Sequence, residues 1–285
     1  MPPDEGSVQA NGLRLHYWEW GDPGRPPAVL LHATGFLARL WEPVAEALSE
    51  RFHVYAYDSR GHGDSDKPPS GYHWANFVDD LRGFLDALDL KRAVVVGHSG
   101  GGAAAAYVAA TAPERIWHAV LIEPIIVPRQ AEDDGVSRRN ELADGARRRR
   151  MVWSSTDELL RSYRRRPAFA GWREDVLRLY AEHGTRPRPD GQVELKCPGD
   201  IEAQVFEHSA SLDVGDVLPR IGCPTLVMRG EHTDPYLTVI ADTAAGRIPR
   251  GRLVTIEDAG HLAPMERPEA VAEAILAFCR EAGPP

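Results

Sequence analysis

The sequence predicts an α/β protein built on a doubly wound, mostly parallel sheet with a helical cap insertion. Three observations carry this. Short β-branched runs alternate with longer amphipathic stretches along most of the 285 residues, the signature of strand–helix units. Several of those runs are apolar throughout rather than alternating, as expected of strands covered on both faces. The alternation breaks only once, for about a hundred residues between Ile122 and Thr225.

In order, Val8–Gln9 and Leu13–Trp20 flank Ala10-Asn11-Gly12, a hairpin signal because Asn-Gly tolerates the positive φ of a type I′ turn. Buried strands are predicted at Ala28–His32, His53–Tyr57, Ala93–Val96, His118–Ile122, Thr225–Met228 and Leu253–Ile256. Helices are expected near 38–50, 75–89, 101–111, 236–246 and 267–281. The last begins around Pro268 and carries Val271, Ile275, Phe278 and Cys279 at helical spacing. The break contains helical patterns near 136–153, 156–166, 172–183 and 200–209, and residues 124–210 hold 16 Lys and Arg against 15 Asp and Glu. A structureless loop of that length is not expected inside a compact domain. The reading is a helical cap over residues 124–210, inserted into a core made of 1–123 and 211–285. Its arginine runs, Arg147–Arg150 and Arg164–Arg166, read as a solvated face balanced by nearby acids.

Hydrophobic residues at 43% and charged residues at 26% exclude a disordered chain. A net charge of −9 argues against a nucleic-acid partner. The three cysteines, Cys197, Cys223 and Cys279, lie far apart with no zinc-like spacing, so no metal, cofactor or disulfide framework is expected. The acidic start MPPDEGSVQANG does not read as a signal peptide, and the alanine-rich stretch near Ala103–Ala112 is too short to span a bilayer. A cytoplasmic protein acting on a small molecule, with no membrane contact, is the expectation; nothing in the sequence fixes its oligomeric state.

The sharpest chemical signal is Gly97-His98-Ser99-Gly100-Gly101, a G-x-S-x-G set between a buried strand and a helix. Such a turn lifts the Ser99 hydroxyl above the carboxyl end of the sheet, where the helix N-terminus favours negative charge. A nucleophilic serine needs a base. His261 follows the last predicted strand, so it falls on the same face; His98 adjoins Ser99 but points away on a tight turn. The acid that orients the base has three candidates in the required chain order: Asp234, favoured for its long loop after Gly230, with Glu123 and Glu231 as alternatives. The loop His32-Ala33-Thr34-Gly35 follows the first buried strand of the parallel set, and the Thr34 and Gly100 amides there can hold a developing oxyanion.

These pieces resemble the α/β-hydrolase fold superfamily. The resemblance rests on His32–Phe36, Asp58-Ser-Arg-Gly-His-Gly-Asp-Ser65, Gly97–Gly101, Gly230–Asp234 and Ala259-Gly-His261 with Pro264 and Glu266-Arg-Pro268, in the family's order from about residue 28 to the end, the cap excepted. It implies Ser99 as nucleophile, His261 as base, Asp234 as acid, and Thr34 and Gly100 as oxyanion donors; Asp58–Ser65 resembles a structural turn of the family. Two positions depart. Ala33 stands where the family commonly has glycine, and Ser99 stands where haloalkane dehalogenases and epoxide hydrolases of the family carry aspartate.

Hydrolysis of a small carboxylic ester or lactone through an acyl-Ser99 intermediate is therefore expected. A carbon–carbon (diketone) hydrolase or a perhydrolase would use the same three residues. A non-catalytic receptor on the same scaffold keeps the fold without turnover. A dinucleotide site fails because the second glycine of its fingerprint falls at Ser99.

Overall fold

The computed structural model describes residues 2–126 and 132–283, the side chains of 132–137 excepted. The chain opens with the hairpin of β1 (Asp4–Ala10) and β2 (Leu13–Trp20), whose turn holds Asn11 at φ 47° and Gly12 at φ 75°. Both central residues are left-handed, as a type I′ turn demands. There follow β3 (Pro27–Leu31), a 3-10 turn over Ala38–Trp41, α1 (Glu42–Leu48), β4 (His53–Tyr57), α2 (Trp74–Ala87), β5 (Ala93–His98), α3 (Gly100–Thr111) and β6 (Ile116–Ile122). The helix expected over 38–50 is thus split: Pro43 enters the first turn of α1, where its missing N–H costs nothing.

Beyond β6 come α4 (Glu132–Arg147), β7 (Val152–Trp153), α5 (Thr156–Tyr163), α6 (Glu174–His183), β8 (Thr185–Pro187), β9 (Val193–Leu195) and α7 (Gly199–Glu207). The core then resumes with β10 (Thr225–Gly230), α8 (Pro235–Arg247), β11 (Gly251–Ile256), α9 (Ala263–Glu266) and α10 (Pro268–Ala282). The eight-stranded sheet runs β1-β2-β4-β3-β5-β6-β10-β11. β1–β2 and β2–β4 pair antiparallel, and every other neighbour is parallel. This is the doubly wound sheet, and both its faces are covered. Val29, Leu31 and Val95 join the residues of α2, α3 and α8 on one side; Ala28, Leu30, Val94 and Val96 join those of α1 and α10 on the other. Alternate residues of one strand therefore feed two cores, which is why the runs read as continuously apolar.

The segment between β6 and β10 is not wholly helical. It contains a small antiparallel sheet, β7-β9-β8, that shortens the helix expected over 136–153. Its core of Trp153, Leu159, Tyr163, Val176 and Tyr180 packs on Leu37, Leu40 and Met265 of the main body. The arginine runs are not uniformly solvated either. Arg147 pairs with Glu207 and Arg150 with Glu158, but Arg149 turns inward to Glu202 at 2.7 Å and to the Cys197 carbonyl. Among the described residues no helix is long and apolar enough to cross a membrane.

Buried histidines make this fold sensitive to acid, and one of them stands apart from the site. His118, within β6, is fully buried between Trp117 and Phe278, and neither ring nitrogen has a hydrogen-bond partner among the described residues. Burial, reinforced by Arg250 and Arg92, pushes its pKa down to about 4. An unfolded chain takes up that proton near pH 6.5, so the contribution of neutral His118 to stability is complete above 6.5 and falls as pH drops towards 4. Urea midpoints at pH 7.5 and 5 should fall less in His118→Leu than in the native chain. Equal falls would remove His118 as a source of acid lability.

Candidate active site

Ser99 sits between β5 and α3 at φ 55° and ψ −116°, a conformation uncommon for a residue with a side chain. Glycines make the turn possible. A Cβ at Gly97 would stand 2.3 Å from the Gly101 carbonyl oxygen, and one at Gly101 would stand 2.7 Å from that of Leu31. The helix can therefore start directly against the strand ends, and the Ser99 side chain is thrown above them.

His261 lies in the loop between β11 and α9. Its Nε2 is 3.1 Å from Ser99 Oγ, and its Nδ1 is 3.1 Å from Glu123 Oε2. A carboxylate only accepts, so Nδ1 carries the proton and Nε2 of the neutral ring accepts from the serine hydroxyl. Glu123, at the end of β6, is 2% exposed, and its carboxylate is otherwise satisfied by the Gly230 amide at 2.7 Å and the Thr233 hydroxyl at 2.8 Å.

The acid favoured from sequence is therefore corrected. Asp234 does not approach His261. It caps α8, with Oδ1 accepting from the Tyr236 amide at 2.8 Å, and it pairs with Arg138 in solvent. The Tyr236 amide and then Arg138 hold its carboxyl below the usual range. Glu231 is likewise exposed and accepts from the Asp258 amide. Of the three candidates only Glu123 reaches the imidazole.

Thr34 and Gly100 do come together. A Cβ at Gly100 would be 3.0 Å from Thr34 Oγ1, and neither backbone amide donates to an acceptor among the described residues. Three histidines that sequence reasoning passed over hold this arrangement in place. His98 donates from Nε2 to the His261 carbonyl at 2.7 Å, anchoring the histidine loop from beneath. His62 accepts the Gly35 amide at Nε2 and donates from Nδ1 to the Arg60 carbonyl. His32 accepts the Ser59 amide at Nε2 and donates from Nδ1 to the Ala33 carbonyl. The networks of His62 and His32 require a neutral ring, because each accepts an amide proton. Burial, with neighbouring histidines, pushes His98 and His62 down to about 3, and burial lowers His32 as well. The available signal was their placement inside the glycine-rich motifs, at Gly97-His98-Ser99 and Gly61-His62-Gly63.

A serine, an imidazole and a buried carboxylate in line, beside two unbonded amides, is the constellation of nucleophilic acyl chemistry. Residues 28–274 match the model of the alpha/beta hydrolase family, and the chain belongs to that family. It is 27% identical to epoxide hydrolase A of Mycobacterium tuberculosis over 97% of both chains. It is 36% identical to a non-heme chloroperoxidase of Streptomyces lividans, a match spanning 45% of this chain and 48% of that protein. Among solved structures it is similar to the enol-lactonase of Burkholderia xenovorans, with TM-score 0.75 and 26% identity over 96% of this chain and 99% of the other.

The Nδ1 proton held between His261 and Glu123 should give a downfield imidazole resonance in proton NMR. Glu123→Gln should abolish it and Asp234→Asn should leave it in place. Persistence in Glu123→Gln would show that another group holds that proton.

Proposed function

We propose that the protein is a serine hydrolase that cleaves a small carboxylic ester or lactone through an acyl-Ser99 intermediate, without a cofactor. The observation that carries this reading is the continuous chain Ser99–His261–Glu123, with 3.1 Å at each step. His261 Nε2 takes the hydroxyl proton as Ser99 Oγ attacks the carbonyl carbon. The Thr34 and Gly100 amides hold the oxyanion, a contribution of about 3–4 kcal/mol per donor in comparable sites. His261 then returns the proton to the departing alcohol, and a water activated by the same nitrogen releases the acid. Glu123 keeps the ring in the required tautomer and balances its transient positive charge.

Ser99 at the nucleophile position argues against epoxide opening through an alkyl-enzyme ester, for which a carboxylate nucleophile is needed, despite the similarity to an epoxide hydrolase. A lactone opens by the same acyl chemistry, and the similarity to an enol-lactonase supports including it. The segment 124–210 is proposed as the cap that covers the site. A second reading, a diketone or perhydrolase activity, uses the same residues and differs in the substrate it admits.

A fluorophosphonate should label Ser99 in the folded protein, and Ser99→Ala should abolish both labelling and ester turnover. Glu123→Gln should lower kcat about 10⁴-fold, as loss of the orienting carboxylate does in serine triads, while Asp234→Asn stays within about tenfold of the native chain. Folded protein that neither labels nor turns over any ester, lactone or diketone would establish a binding protein instead. A larger loss in Asp234→Asn than in Glu123→Gln would overturn the assignment of the acid.

A further inference from the structure

A narrow pocket lies against the Thr34–Gly100 notch, with Trp74 and Val205 among its apolar walls. Trp74 is fixed there by donating from its indole to the Val205 carbonyl at 2.9 Å, and its ring would stand 3.6 Å from a Cβ on Gly100. Tyr57 and Ser59 also line the cavity. They are 1% and 7% exposed, and neither hydroxyl has a hydrogen-bond partner among the described residues. Burial, with Asp80 nearby, raises the Tyr57 phenol well above its ordinary value, so it remains a donor.

Buried hydroxyls without partners are costly unless something polar comes to them. The charge around them says what that can be. His32 and His62, the imidazoles lining the pocket, have both nitrogens committed to backbone and neutral rings. The guanidinium of Arg60 is taken up by Asp80 in a two-pronged pair. Among the described residues lining the pocket no cation is therefore free to receive a carboxylate, whereas an uncharged oxygen can accept directly from the two hydroxyls.

We infer that this cavity receives the acyl part of the substrate and that Tyr57 and Ser59 select an acyl chain bearing an uncharged oxygen, a keto or hydroxyl group. The inference rests on Ser99 being the acylated residue. It narrows the substrate from small esters in general to oxo- or hydroxy-acyl esters, and against both plain alkanoates and dicarboxylic half-esters.

Three acyl groups of nearly the same shape test it: the 4-nitrophenyl esters of 4-oxopentanoate, 4-methylpentanoate and succinate. With kcat/KM divided by each ester's hydroxide-catalysed rate, the oxo ester should exceed the methyl ester by about three- to tenfold, the worth of one neutral hydrogen bond, and the succinate half-ester should be poorest. Tyr57→Phe and Ser59→Ala should each draw the oxo-to-methyl ratio towards one; circular dichroism checks that each variant is folded, and either alone suffices if the other is not. A ratio of one in the native protein, a ratio that neither variant moves, or preference for succinate would overturn the inference. Calorimetry of Ser99→Ala with 4-oxopentanamide and 4-methylpentanamide separates this from the hydrolase reading. Selective binding of the oxo amide that Tyr57→Phe removes, in a protein that cleaves no ester, would uphold the cavity and reject the hydrolase. Cleavage through Ser99 without selectivity would do the reverse, and neither binding nor cleavage would reject both.

Discussion

The site depends on a contact between backbones. Gly97, Gly101 and Gly102 let the first turn of α3 rest on the ends of β3, β5 and β6 with no side chain between them. A Cβ at Gly102 would meet the Gly97 carbonyl at 3.0 Å and Pro124 at 3.1 Å; one at Gly101 would meet the Leu31 and His32 carbonyls. The same few ångströms thus join the Thr34 loop, the serine turn and the Glu123–Pro124 corner. Adding a methyl group at any of the three would separate strand ends that carry different parts of the site. Overpacking of this kind has no flexible side chain to absorb it.

Much of this was legible because its signals are local. Glycine spacing around Ser99, an apolar run before it and an alanine-rich helix after it are all contained in residues 93–111. His261 was readable because a parallel sheet delivers every strand's carboxyl end to one face. The same argument admits both Asp234 and Glu123 to that face and does not choose between them. Asp234 carries a local signal of its own, an Asp before Pro235 at a helix start, and that signal describes a helix cap rather than a catalytic group. The sheet β7-β9-β8 was missed for another reason. Strands of two or three residues, one ending in Pro187, are too short to show a period.

The Asp58–Ser65 turn shows how a motif with no reactive role can still set the geometry of a reactive one. Burial alone would raise the Asp58 carboxyl, but the bond from His16 and the charges around it outweigh that and hold it well below the usual range. Its oxygens collect the Ala38 amide at 2.7 Å, the Asp64 amide at 2.9 Å and His16 Nδ1 at 2.9 Å. A fixed anion at this corner shapes the turn that presents Ser59 to His32 and His62 to Gly35. The loop carrying Thr34 is therefore held from below by two neutral imidazoles. Neutrality matters here, because each ring accepts an amide proton through a nitrogen that protonation would convert to a donor.

The strained positions explain why a reading by pattern ranks Glu123 behind Asp234. Ser99 at φ 55°, Glu123 at φ 49° and Asp258 at φ 51° are all left-handed residues with side chains, and each lies on a corner that forms the site. Such residues cost roughly 1–3 kcal/mol each and persist only where their surroundings over-determine them. Here the backbone supplies the restraint: the Ser99 amide donates to the Ile122 carbonyl at 2.9 Å, and the Glu123 amide donates to the Met228 carbonyl at 2.8 Å. The sheet ladder thus runs on through both corners. In a continuing strand, residue 123 would simply take the face opposite to residue 122. With φ positive it leaves that alternation, and its carboxylate crosses the end of β10 to meet Gly230, Thr233 and His261 together. Alternation is what a strand pattern encodes, so the pattern places residue 123 at the strand's carboxyl end but does not tell how far its carboxylate reaches.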